Sequence, residues 1–141
     1  MVLEIAKIKT AVYTLANVAG IQTYLGSPVR LYPDLAPSDV DAPYAVHRVT
    51  ADQDRAFGRI GEKGMITFVV VSLVSSQIEI SSIISAITTV FDDSESTFSV
   101  TGYNTVEFTR QGAEVLPKPH SKNKSEWIGY IVYRYEIKKD K

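Results

Sequence analysis

The spacing of apolar residues changes several times along the chain, and each change marks an element. Ile5, Ile8, Val12 and Leu15 recur three and four apart, which lays them on one stripe of an amphipathic helix over residues 3–16. Gly20 is expected to break it. Residues 26–43 hold Pro28, Pro33, Pro37 and Pro43 with Asp34, Asp39 and Asp41, the composition of an extended connection around one short strand at 29–32. A strand at 44–49 follows. Residues 50–64 combine Asp52, Asp54, Arg55, Arg59, Glu62 and Lys63 with Gly58, Gly61 and Gly64, which predicts an exposed, mobile hairpin or loop, long for a simple turn. From Met65 onward both alternating faces are apolar: Ile66, Phe68 and Val70 against Val69, Val71 and Leu73. That pattern predicts a central strand over 65–74, covered on both sides.

Helical spacing returns with Ile80, Ile83, Ile84, Ile87, Val90 and Phe91, predicting a second helix over 77–92. Its other face carries Ser81, Ser82, Ser85, Thr88 and Thr89, with no charge between Ile80 and Phe91. A solvated helix face normally carries Lys and Glu, and serine and threonine are weak helix formers. This face is therefore expected to meet a neighbouring protein or another part of the same subunit, with Ser85 and Thr89 at its centre. Strands are expected at 97–100, at 105–116 with a bulge at Gln111 and Gly112, and at 126–138. In the last one, Trp127, Ile131, Tyr133, Tyr135 and Ile137 share a face. The other face runs from Ile128, Tyr130 and Val132 into Arg134, Glu136 and Lys138, so it is buried early and solvated late. The short tail after it is expected to fray.

These elements suit one soluble α+β domain over residues 1–141, with an antiparallel or mixed sheet and two main helices on one side. An apolar fraction of 45% and a charged fraction of 22% are ordinary globular values, which exclude disordered and fibrous classes. The absence of cysteine removes disulfides and thiolate metal sites and favours intracellular synthesis. A net charge of −1 supplies no field to gather nucleic acid or anionic lipid. Glu4, Lys7 and Lys9 interrupt the first residues, unlike a signal peptide, and the apolar run at 65–74 is too short to cross a bilayer. No membrane partner is expected.

Catalytic patterns fail one by one. His47 and His120 have no partner at HxxH or HExxH spacing, and no GxSxG elbow surrounds any serine. In the stretch from Gly58 to Gly64, Gly61 is followed by Glu62 rather than lysine, so it is not a phosphate loop. Asp39 with Asp41 and Asp52 with Asp54 do not continue into a calcium loop and read as turn residues. No metal, cofactor or catalytic residue is assigned. Lys118, His120, Lys122 and Lys124 form the one local basic patch outside the tail, in a proline-flanked loop read as solvated rather than phosphate-binding.

The order of pieces then becomes informative. An N-terminal helix, Val29-Arg30-Leu31-Tyr32 followed by prolines, Ala42-Pro43-Tyr44-Ala45-Val46, a polar hairpin, the apolar strand at 65–74, the helix at 78–91 and the closing Trp127-Ile128-Gly129-Tyr130-Ile131-Val132-Tyr133-Arg134-Tyr135 together resemble the tail-terminator (tail-completion) proteins of long-tailed bacteriophages. The serine-rich second helix is more polar than that family's. The resemblance implies a non-enzymatic virion protein, made in the host cytoplasm, that closes as a homo-hexameric ring on the head-proximal end of the tail. Its implied partners are further copies of itself, the tail tube protein, the head-tail connector or neck proteins, and sheath protein if the tail contracts. DNA would pass through without specific binding. Candidate interface residues are Asp52, Asp54, Arg55, Phe57 and Arg59 in the hairpin, Ser85 and Thr89 on the second helix, and Lys118, His120, Lys122 and Lys124 in the basic loop. Two alternatives stand beside this: another neck component, such as a head-tail adaptor or tube-like protein, and a small ligand-binding domain with a pocket gathering His47, Arg48 or the Asp52 and Asp54 region.

Overall fold

The computed structural model describes residues 5–54, 61–73, 77–117 and 126–139. Three helices, α1 (Ile5–Ala16), α2 (Ala19–Leu25) and α3 (Ile78–Phe91), accompany five strands: β1 (Leu31–Pro33), β2 (Tyr44–Asp54), β3 (Gly61–Ser72), β4 (Tyr103–Pro117) and β5 (Trp127–Lys139). The strands form one sheet in the order β1-β2-β3-β5-β4. β1 lies parallel to β2, and every other ladder is antiparallel. This is the mixed sheet of an α+β fold.

Alternation decides which side chains the helices cover. Ala45 and His47 of β2, Ile66, Phe68 and Val70 of β3, and Ile131, Tyr133, Tyr135 and Ile137 of β5 are all buried. They share one core with Ile8 and Val12 of α1, Ile21 and Leu25 of α2, and Ile80, Ile83, Ile87 and Phe91 of α3. Phe68, Phe91, Phe98, Phe108 and Tyr133 pack ring against ring, with centroids 4.7–6.1 Å apart. Each such pair contributes about 0.5–1.5 kcal/mol beyond its buried area. Gly129 lets α3 approach the sheet, because a Cβ there would stand 2.6 Å from Ile84 Cδ1.

Several boundaries differ from those the sequence suggests. α2 is a full additional helix, although Gly20 lies inside it: Ile21 and Leu25, four apart, are both buried, and that burial outweighs the glycine cost of about 1 kcal/mol. No strand forms at 97–100. Phe98 and Val100 are buried, but the backbone there bonds locally, Thr97 and Phe98 N–H to Ser94 O and Tyr103 N–H to Val100 O. The polar stretch after Thr50 is largely strand, since β2 and β3 pair as far as Asp54 with Gly61; residues 55–60 lie outside the description. β3 is covered by helices on one face only. Its other face, with Thr67, Val69 and Val71, is half-buried. The bulge expected at Gln111 and Gly112 is present, and a second register shift falls between Thr105 and Glu107.

Candidate assembly interface

α3 lies across β3 and β5 with Ile80, Ile83 and Ile87 inward, which turns Ser81, Ser85 and Thr89 away from the sheet. Ser85 and Thr89 are exposed, so the chain itself does not cover them. The Thr89 hydroxyl is engaged locally: it donates to Ser85 O at 2.7 Å, and the Thr88 hydroxyl donates to the same backbone carbonyl at 3.1 Å. Threonine bonding back to its own helix in this way leaves its methyl group toward the surface, while Ser81, Ser82 and Ser85 keep the groove polar. Gly20 and Tyr24 of α2 face this surface across a groove of about 770 Å³, lined also by Ile78, Ser81, Ser82, Ala86 and Val90. None of its lining residues is charged. Ile78, 75% exposed, stands at one end.

A second surface is the uncovered sheet face. Tyr44, Val46, Arg48, Val69 and Val71 line a groove of about 400 Å³ beside the connection that follows β1, which contributes Leu35, Pro37 and Val40. Leu35 is 77% exposed. Val46 is buried, and Val69 and Val71 are half-buried.

His47 belongs to neither. It sits on the helix side of β2, 1% exposed, and among the described residues neither ring nitrogen has a hydrogen-bond partner. It borders a cavity of about 280 Å³ lined by Lys9, Thr10, Tyr13, Thr14 and Pro33. Burial, and then the Lys9 charge, push its pKa down to about 4, against a weaker upward pull from Asp34; the ring is neutral near pH 7. Lys9 is itself paired with Asp34. Arg48 points to the opposite face of the sheet, so the structure does not gather His47 with Arg48 in one pocket. Asp52 and Asp54 lie farther along β2. Among the described residues no cluster of three or more His, Cys, Asp or Glu is placed to hold a metal ion. Nor is any helix among them long and apolar enough to cross a membrane.

Part-buried polar contacts tie α3 to the sheet beneath these surfaces. The Tyr133 hydroxyl donates to Asp92 Oδ1 at 2.8 Å, just past the end of α3. Burial, followed by that bond, pushes the phenol far above its usual range. Arg110 of β4 reaches the other Asp92 oxygen at 3.7 Å, so one carboxylate links α3, β4 and β5.

Of the residues singled out in the sequence, Arg55, Phe57, Arg59, Lys118, His120, Lys122 and Lys124 lie outside the described residues. Ser85 and Thr89 share the groove beside α2. Tyr24 and Ile78, its apolar rim, were not among the sequence candidates. Their signal was the pairing of an exposed aromatic with an exposed isoleucine, visible only once α2 is recognised as a helix.

The family profile of tail completion protein gp17 matches residues 10–128. The chain belongs to that family. No curated protein matches it in sequence. Among solved structures, a chain of the "Virion of native gene transfer agent (GTA) particle" superposes with a TM-score of 0.79 at 11% identity, over 97% of this chain and 99% of that one. At that identity the likeness is one of fold. This tail-completion protein is thus a structural component of a bacteriophage tail, with a sheet-and-helix scaffold seen also in a virion particle.

Proposed function

We propose that the protein caps the head-proximal end of the tail tube as a homo-hexameric ring, ends tube growth and offers the joining surface for the head connector. The family match over residues 10–128 carries this reading. The uncharged groove between α2 and α3 and the open sheet face support it, since both present contact area without a reacting group. Affinity would then come from complementary surfaces repeated by symmetry, each modest alone and strengthened by avidity on the tube. Neck and tube proteins are the expected partners, sheath protein also if the tail contracts. DNA passes through without specific grip, and the protein catalyses no reaction.

Electron microscopy of particles assembled with and without the protein tests this. Tails made without it should be overlong and headless, and labelled protein added back should appear as one ring at the head-proximal end. Label along the whole tube, or on the head side with tails of normal length in its absence, would instead assign it to another neck or tube position.

A further inference from the structure

The sheet has two uncovered edges that match each other. Among the described residues β4 has β5 on one side and no strand on the other. At the opposite edge, three-residue β1 covers only Ala45, Val46 and His47 of β2, so Arg48–Asp54 have no strand on that side. Ladder registers set the relative heights. Arg48 aligns through Thr67 and Val132 with Gly112, and Asp54 aligns through Gly61 and Lys138 with Asn104. The uncovered part of β2 therefore stands level with residues 104–112 of β4. Omitting the two unpaired positions, Val106 and Gln111, that part of β4 offers seven in-register residues, as many as Arg48–Asp54.

Direction also fits. Three antiparallel ladders separate β2 from β4, so the two run opposite ways. A copy rotated about an axis along the strands keeps its direction and brings β4 antiparallel to β2 of the next copy, where inter-strand bonds are straight. β1 would obstruct a straight strand, because it occupies the β2 edge up to His47. The irregularity between Arg110 and Gly112 falls at the next height, that of Arg48. A bulge bends its strand, and Gly112 has open space around the position of a Cβ, so β4 can turn aside there. Of the other guards of an exposed edge, β4 has no lysine and no proline before Pro117, but it carries Glu107 and Arg110. Glu107 stands level with Asp52 of β2, a like-charge pair that weakens the pairing at that one position.

We propose that Asn104–Gly112 of β4 pairs antiparallel with Arg48–Asp54 of β2 in a second copy of this chain, joining successive sheets head to tail. The two edges differ, so the contact is heterologous, the type that closes into rings. The inference rests on the ring reading above and names the strands that make the ring.

The chain has no cysteine, so introduced thiols report cleanly. Thr50 and Thr109 are exposed and level with each other through Met65 and Arg134. Thr50→Cys and Thr109→Cys chains, mixed and oxidised after assembly, should give disulfide dimers that neither gives alone, and the double variant a ladder up to the full ring. Arg48→Cys and Glu107→Cys extend the scan to registers offset by two. Independently of register, amide hydrogen exchange at residues 48–51 and 104–112 should slow at least tenfold when wild-type rings form. Rings that form with neither the mixed cross-link nor this protection, or a cross-link in either single variant alone, would overturn the edge pairing and leave the ring itself standing. Absence of any ring, in solution or on tails, would remove both readings.

Discussion

The Tyr135 hydroxyl donates to Glu62 Oε1 at 2.8 Å, between side chains that are 0% and 3% exposed. They sit diagonally across the β3-β5 ladder on the helix side. A buried carboxylate stripped of a donor carries its desolvation cost. Tyr135→Phe should therefore lower unfolding stability by about 1–3 kcal/mol. Glu62→Gln, which keeps an acceptor without the charge, should cost less. Urea denaturation measures both, and a neutral Tyr135→Phe would mean that the bond adds nothing.

His47 makes stability depend on pH. Its folded pKa of about 4 lies below the ordinary 6.5, so the unfolded chain binds the proton more readily. The associated stability is fully present above pH 6.5 and is lost as pH falls towards 4. The full effect is about 3 kcal/mol, at 1.36 kcal/mol per unit. Carboxylates titrate over part of this range, so the comparison that matters is between wild type and His47→Leu. The variant should show a shallower loss of stability between pH 6.5 and 4.5, and identical slopes would contradict the burial argument.

Gly64 is required by the β2-β3 hairpin. A Cβ at this position would stand 1.9 Å from Thr50 O and 2.9 Å from Ala51 Cα, and backbone cannot rotate aside as a side chain can. Gly64→Ala should cost at least about 2 kcal/mol, at the upper end of overpacking penalties. Gly112→Ala, in open space, is the control for a glycine substitution in the same sheet. Thermal melts of the two variants should separate clearly.

Ser85 and Thr89 test whether the α2-α3 groove is a contact surface. Both are exposed, so the double change to lysine should alter stability by no more than about 0.5 kcal/mol. If a neighbouring protein lies in the groove, the same change should block assembly, because two charges would be buried without partners. Normal assembly would show that the groove stays open to water.

The basic loop carries a separate expectation tied to the proposed function. Changing Lys118, Lys122 and Lys124 to glutamate should weaken the joining of tails to filled heads, and joining by the native protein should fall with rising salt. Tight binding of duplex DNA by native rings at physiological salt, absent in the changed protein, would assign the loop to nucleic acid instead.

Long elements were legible in the sequence because their periods are unambiguous. The isoleucines of α3 and the alternation in β5 each point to one answer, and the Gln111-Gly112 bulge was readable from a glycine inside a strand pattern. α2 was hidden because seven residues containing Gly20 carry little helical preference of their own; its stability comes from burying Ile21 and Leu25. Phe98 and Val100 alternate like a strand, yet both are buried from a loop, Phe98 against Phe108. For the interface, composition identified the charge-free side of α3. It could not identify Tyr24 opposite, which α2 brings there through tertiary packing, nor the two matching sheet edges, which exist only once strand order is fixed.

That strand order has a consequence during synthesis. β5 is made after β3, α3 and β4, yet in the sheet it lies between β3 and β4. A nascent chain emerging from the ribosome can form the β2-β3 hairpin, but β4 has no strand to pair with in the sheet until residues 127–139 have left the exit tunnel. Until then the helix-facing aromatics lack Tyr133 and Tyr135, and two long strands wait with open edges, the condition that invites premature pairing between chains. The sheet can close only after that last strand is made, so subunits should become competent to assemble abruptly rather than by degrees.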